Sequence, residues 1–184
     1  MLQQLAPDLW IADHQLKIMG AEFGARMSVI RLGSGGLFVH SPVALTPELH
    51  AAIHELGPVE AVIAPNAMHH MYLPAFTESF PTALVYVADG VTAKHPDLQV
   101  SGLLGEEPEP LWAFELDQHR IAGQPRINEV AFLHKPSRTL LLTDWLFNFN
   151  RSDTWWTRTF LRLAGAYHGP SQSRLLPLSI AARA

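Results

Sequence analysis

The succession 36-GLFVH-40, 46-TPELHAAIHELG-57 and 60-EAVIAP-65 constrains the fold of this chain more than any other stretch. In its middle segment Thr46 stands at a helix cap, Pro47 at the first helical position, and Leu49, Ile53 and Leu56 recur at helical spacing. Gly57 and Pro58 then stop the helix. Within 60–65 apolar residues follow one another without alternation, the pattern of a strand covered on both faces. Strand, helix and strand in that order predict a right-handed crossover between parallel strands. The run 83-ALVYVA-88 reads as another buried strand.

Antiparallel signals lie on either side of this unit. The runs 9-LWIAD-13 and 27-MSVIRL-32 read as strands, and the latter pairs with 36–40 through a hairpin at Gly33-Ser34-Gly35. Residues 70–80 are helical or irregular, 91-VTAKHPDL-98 predicts a short helix broken at Pro96, and 105-GEEPEP-110 predicts an exposed loop. The segments 111-LWAFEL-116, 118-QHRIA-122, 129-EVAFLH-134 and 139-TLLLTD-144 read as consecutive strands, the last two joined by a type I turn at Lys135-Pro136-Ser137-Arg138. Ser152 caps a predicted amphipathic helix over 152–165 that presents Trp156, Phe160 and Leu163. The plan is α/β and β-rich, and 184 residues suit one domain with a sizeable core.

Composition narrows the chemistry. A formal net charge of -4 with no cluster of Lys or Arg argues against nucleic acid as a partner. There is no cysteine, so neither disulfides nor thiolate metal sites are available, and the ten histidines leave imidazole and carboxylate as the metal donors. The start MLQQLAPDLW has no basic region leading into a long apolar run, and no segment has the length of a membrane helix. The expectation is a cytoplasmic protein with no membrane partner.

Functional side chains in layered α/β folds gather just beyond strand carboxyl ends. Asn66 to His70, His134 and Asp144 occupy such positions. His69 and His70 are either metal ligands or polar residues that pack and bond locally, since neighbours on a regular element point apart. Asp144 either pairs with a cation or helix terminus, or caps a turn. His50 and His54 share a helix face, but Ala51 replaces the glutamate that a zincin motif needs, so both are expected to face solvent. His14, His40, His95 and His119 have no convergent neighbours in sequence. Neither a G-x-S-x-G elbow nor a phosphate loop occurs, and Gly33-Ser34-Gly35-Gly36 joins strand to strand as a hairpin.

The order of elements, with 28-SVIRLGSGGLFVHSPVALTPELHAAI-53, 64-APNAMHHMYLPAF-76 and 128-NEVAFLHKPSRTLLLTDWLFN-148, resembles the metallo-β-lactamase fold superfamily, and more closely a branch of it known as a domain of unknown function. The resemblance implies an αββα sandwich, here without the C-terminal helix and strand, of which 172-QSRLLPLSIAARA-184 looks like the opening, in either a shortened member or a truncated chain. The superfamily's H-x-H-x-D-H signature, which holds one or two metal ions, falls on Pro65, Ala67, His69 and His70, so two ligands are missing. A later bridging aspartate corresponds to Asp144. The Gly-His ligand falls in 123-GQPRINE-129, where Gln124, Asn128 or Glu129 stands near its place, and His168 alone remains for the last histidine.

The metal set that the resemblance implies is therefore His69, His70 and Asp144, reinforced by Glu129 or His134, with catalytic roles on Asp144 and His70. It would hold zinc or another divalent metal weakly, or none. Two expectations follow: a metal-dependent hydrolase of a small-molecule substrate with a degenerate site, or a catalytically inactive binding or assembly protein on the same fold. The aromatic run Trp145, Phe147, Phe149, Trp155, Trp156 and Phe160 adds the expectation of a homodimer.

Overall fold

The computed structural model describes residues 1–18, 20–149, 154–167 and 169–172. The chain opens with β1 (Leu2–Ala6), β2 (Leu9–His14), the short β3 (Lys17–Ile18) and β4 (Ala21–Glu22), β5 (Ala25–Arg31) and β6 (Leu37–His40). The crossover unit follows as α1 (Pro47–Leu56), β7 (Val59–Ala64), α2 (Leu73–Ser79), β8 (Leu84–Val87) and β9 (Gly102–Leu103). The remaining elements are β10 (Leu116–Arg120), β11 (Val130–His134), β12 (Thr139–Leu141), β13 (Phe147–Phe149), α3 (Trp155–Leu163) and β14 (Gly169–Ser171).

The predicted hairpin and crossover are both present. β5 and β6 pair antiparallel from Arg31 opposite Leu37, with Gly35 at φ +85° in the turn. Thr46 caps α1 by accepting a hydrogen bond from the Leu49 N–H, and Leu49 and Ile53 are its buried stripe. Gly57 ends it at φ +152°, where a Cβ would lie 2.7 Å from the Gly35 carbonyl oxygen. β7 and β8 then add in parallel to β6, giving a seven-stranded sheet in the order β1-β2-β5-β6-β7-β8-β9.

Each side of this sheet carries its own core. Met27, Val29, Leu37, Val39, Val62 and Val85 pack beneath α1 and α2 with Leu49, Ile53, Leu73 and Phe76. The opposite face, with Ile30, Phe38, Ala61 and Ile63, meets Trp112, Leu116, Val130, Phe132 and Leu141 of the second layer. That layer is the antiparallel sheet β10-β11-β12. Phe38 lies between Trp112 and Phe132 with ring centroids 5.2 and 5.4 Å away. Its burial contributes roughly 1.5–3 kcal/mol. α3 docks through Phe160 and Leu161 against Phe23, Phe147 and Phe149. Among the described residues no helix is long and apolar enough to cross a membrane.

Several local expectations give way. Residues 111–115 form hydrogen-bonded turns, with Glu115 and Leu116 both donating to the Trp112 carbonyl, and strand structure begins only at Leu116. The L-W-A-F-E-L pattern has the alternation of a strand, but Trp112 is buried and Phe114 is 87% exposed, so the apolar residues serve opposite sides of a bend. Residues 91–98 form turns rather than a helix, in keeping with Pro96. The 139–144 strand stops at Leu141, and α3 starts at Trp155 with Thr154 at its cap. Ser152, His168 and residues 173–184, where a further histidine and helix were sought, lie outside the described residues.

Strand direction places the site. Because β6 and β7 run in parallel, Ser41 and Asn66 emerge side by side at their carboxyl ends. The second sheet reaches the same end with the start of β11, where the Val130 N–H donates to the Pro65 carbonyl at 2.9 Å, and with the residues just after β12.

Candidate functional site

Asn66, fully buried, organises the loop beyond β7. Its Oδ1 accepts from the backbone N–H groups of Met68 at 2.7 Å and His69 at 2.8 Å, closing a side-chain turn that brings the chain over the strand end. Its Nδ2 donates to Thr143 Oγ1 at 2.8 Å and to Asp144 Oδ2 at 2.7 Å. The amide thus spends both its donors and both its acceptor positions in holding the two loops of the site together.

Glu129 does the same from the amino end of β11. It is 1% exposed, its Oε1 accepts from the Thr143 N–H at 2.7 Å, and its Oε2 accepts from the N–H groups of Asp144 and Trp145, each at 2.8 Å. This cradle pulls the chain out of β12 and fixes the backbone from which Asp144 projects. Glu129 serves the loop and is not free to reach an ion. Burial pushes its carboxyl above the ordinary value, against the backbone donors that favour its anion. Burial pushes Asp144 up as well, but the interaction with His69 and the Asn66 bond outweigh it and hold that carboxyl below its ordinary value. Two neighbouring carboxyls are thereby driven in opposite directions, a feature common at functional sites.

His69 bridges the two parallel strand ends to Asp144. Its Nε2 lies 3.5 Å from Asp144 Oδ2, and its Nδ1 lies 2.6 Å from Ser41 Oγ. Ser41 sits at φ +55°, in the left-handed region that a side chain seldom adopts, and its N–H donates to the Ile63 carbonyl at 2.9 Å. Beside it His40 is buried, and its Nε2 has no hydrogen-bond partner. Desolvation, followed by the influence of His69, lowers its pKa to about 3.

His70 turns the other way. Its Nδ1 meets His95 Nε2 at 2.7 Å, the rings crossing edge to face at 4.8 Å. Lys94 donates to the Ala67 carbonyl. Burial, then Lys94, His95 and His69 in that order, lower the His70 pKa. His69 and His70, adjacent in sequence, therefore belong to two different pairs.

The remaining candidates lie elsewhere. His134 stands at the opposite end of β11 from Val130, with its Nδ1 2.6 Å from Ser137 Oγ. Gln124 and Asn128 stand in the loop before β11; the Gln124 amide is buried, and Asn128 donates to the Asp89 carbonyl at 3.1 Å. His50 is half-buried and stacks on Phe80 at 5.1 Å, while His54 is exposed. Sequence reasoning passed over Ser41 and His95. The strand-end rule that selected Asn66 applies equally to Ser41, which directly follows β6, and was the available signal.

The donor set does not suit the metal implied by the resemblance. A catalytic zinc ion takes three protein ligands, yet among the described residues no group of three His, Asp or Glu side chains converges. Pro65 and Ala67, which stand where the resemblance expects two further ligands, have no donor side chain and are buried. His70 and His95, with nitrogens 2.7 Å apart, are closer than two ligands of one ion can stand.

Solved structures of the same architecture include the metallo-β-lactamase DIM-1 exposed to ceftazidime, at TM-score 0.66 and 10% identity, covering 98% of this chain and 94% of that one. A metallo-β-lactamase from Pontibacter korlensis follows at 0.65 and 13%, covering 97% and 95%. The metallo-β-lactamase FIM-1 from Pseudomonas aeruginosa, in its mono-zinc form, gives 0.62 and 11%, covering 98% and 93%. At such identities the likeness establishes the fold alone. No curated protein matches the sequence. The family model described as Domain of unknown function (DUF4336) matches residues 7–155, so the chain belongs to that family and carries it on a metallo-β-lactamase fold.

Proposed function

We propose that this metallo-β-lactamase-like protein is a hydrolase that works through the His69–Asp144 pair rather than through a resident metal ion. The observation that carries the reading is the 3.5 Å approach of Asp144 Oδ2 to His69 Nε2, with the opposite ring nitrogen held by Ser41 and His70 engaged elsewhere. A carboxylate beside an imidazole fixes its tautomer and stabilises the imidazolium that forms when the ring accepts a proton. Asn66 and Glu129 hold that carboxylate by its side chain and by its backbone. Met68 and Met71, 58% and 60% exposed on either side of the histidines, offer adaptable apolar surface and favour a small, uncharged substrate.

The test is turnover of a chromogenic panel of esters, lactones and β-lactams by protein treated with chelator. Activity that persists and falls by about 10²-fold or more in His69→Ala and Asp144→Asn supports the reading. Activity that appears only when zinc is restored contradicts it.

One observation favours a second reading, a single weakly held divalent ion such as zinc between His69 and Asp144. Two ligands of a tetrahedral ion with bonds of about 2.0–2.2 Å stand roughly 3.3–3.6 Å apart, which matches the 3.5 Å separation. Stoichiometric zinc uptake that is abolished in both His69→Ala and Asp144→Ala would select it.

A further inference from the structure

Ser41, His69 and Asp144 form a continuous chain of polar atoms across two strand ends. Ser41 Oγ lies 2.6 Å from one nitrogen of His69, and Asp144 Oδ2 lies 3.5 Å from the other. These are the three residue types, in the order of contact, by which a hydroxyl becomes a nucleophile: hydroxyl on imidazole, imidazole on carboxylate. The arrangement is recognised by geometry and not by sequence position, so the absence of a G-x-S-x-G elbow does not weigh against it. Ser41 nevertheless shares that elbow's backbone logic, for it follows a parallel strand directly and its φ is +55°. Such conformations are costly, of order 1–3 kcal/mol, and concentrate where a side chain must be presented in a set direction.

We propose that Ser41 is an acyl-accepting nucleophile and that the protein cleaves small carboxylic esters through an acyl-enzyme. The inference rests on the metal-free reading of His69 and Asp144. His69 carries its proton on Nε2, toward Asp144, which leaves the Nδ1 lone pair to accept the hydroxyl proton of Ser41. As that proton moves to Nδ1, the Oγ electron pair forms a bond to the ester carbonyl carbon and the carbonyl π pair moves onto oxygen. Collapse of this adduct breaks the bond to the leaving alkoxide, which takes the proton from Nδ1. Water then adds to the Ser41 ester, passing a proton to Nδ1, and as the adduct collapses Ser41 Oγ recovers that proton. The net change is ester plus water to acid plus alcohol.

Substrate size follows from burial. Ser41 is 2% exposed, whereas the side chains of His69 and Asp144 are 24% and 22% exposed. Access to Oγ is therefore narrow, which suits a short acyl group better than a bulky one. Pro42 and Val43, which follow Ser41, are buried as well.

The experiment is incubation of chelator-treated protein with p-nitrophenyl acetate, followed by intact mass measurement after rapid acid quench and by release of nitrophenol. The expected result is one acetyl group per chain, located on Ser41 by fragmentation. It should be absent in Ser41→Ala and recovered as a thioester in Ser41→Cys, with nitrophenol release falling about 10²-fold or more in Ser41→Ala. Circular dichroism checks that the variants fold, and Ser41→Cys keeps the question open to decision where Ser41→Ala does not. Acetylation elsewhere, no acetylation, or release unchanged in Ser41→Ala would overturn the proposal. If release survives in Ser41→Ala but is lost in His69→Ala, the His69–Asp144 reading stands and the nucleophile alone falls. If release requires added zinc, both fall.

Discussion

His40 shows how one buried side chain ties stability to pH. The unfolded chain takes up a proton on this residue near its ordinary pKa of 6.5, while the folded chain resists until about 3. Stability is therefore fully present above 6.5 and declines as the pH falls across that window, by roughly 4–5 kcal/mol at about 1.4 kcal/mol per unit. His40→Leu keeps the bulk against Phe132 and removes the titration, so its urea midpoint should fall less between pH 7 and pH 4 than that of the parent. An equal fall in both would show that His40 does not carry the effect. At this scale the sequence was half legible. Asn66, His69, His70 and Asp144 sit at strand ends and declare themselves, but the Ser41–His69 contact spans 28 positions and nothing local marks it. That His69 and His70 can point apart was legible, but the partner of His70 was not, because His95 arrives from a separate turn.

Among the elements, direction mattered more than existence. His134 and Asp144 both end predicted strands, yet β11 and β12 are antiparallel, so their carboxyl ends lie on opposite sides and only Asp144 faces the loop after β7. For the same reason Glu129, at the start of β11, lies at the site. Glu129→Ala leaves three backbone N–H groups without their acceptor and should destabilise the protein by about 2–4 kcal/mol, with Glu129→Gln recovering part. Chemical denaturation measures both, and an unchanged midpoint in Glu129→Ala would contradict the cradle described above. The crossover helix was legible nearly to the residue, since Thr46, Pro47 and Gly57 are local signals with local causes. Gly57→Ala forces a side chain into φ +152° and against the Gly35 carbonyl oxygen. It should cost about 2–4 kcal/mol, read as a lowered thermal midpoint. The turns at 111–115 were not legible, because a buried Trp112 beside an exposed Phe114 produces the same alternation as a strand.

In the whole molecule, the seam between a seven-stranded and a three-stranded sheet brings the loops after β6, β7 and β12 together with the start of β11. The fold is that of the metallo-β-lactamases. Pro65 and Ala67 take two expected ligand positions, Glu129 is committed to backbone donors, and His70 to His95, which leaves His69 and Asp144 facing each other. The decisive property is therefore whether this end of the molecule holds a metal ion tightly. Titration of chelator-treated protein with zinc in a calorimeter, backed by elemental analysis of protein purified without chelator, answers that directly. A site that works without metal should show substoichiometric metal as purified and no saturable uptake at one equivalent. One tightly bound zinc per chain, lost in both His69→Ala and Asp144→Ala, would contradict it.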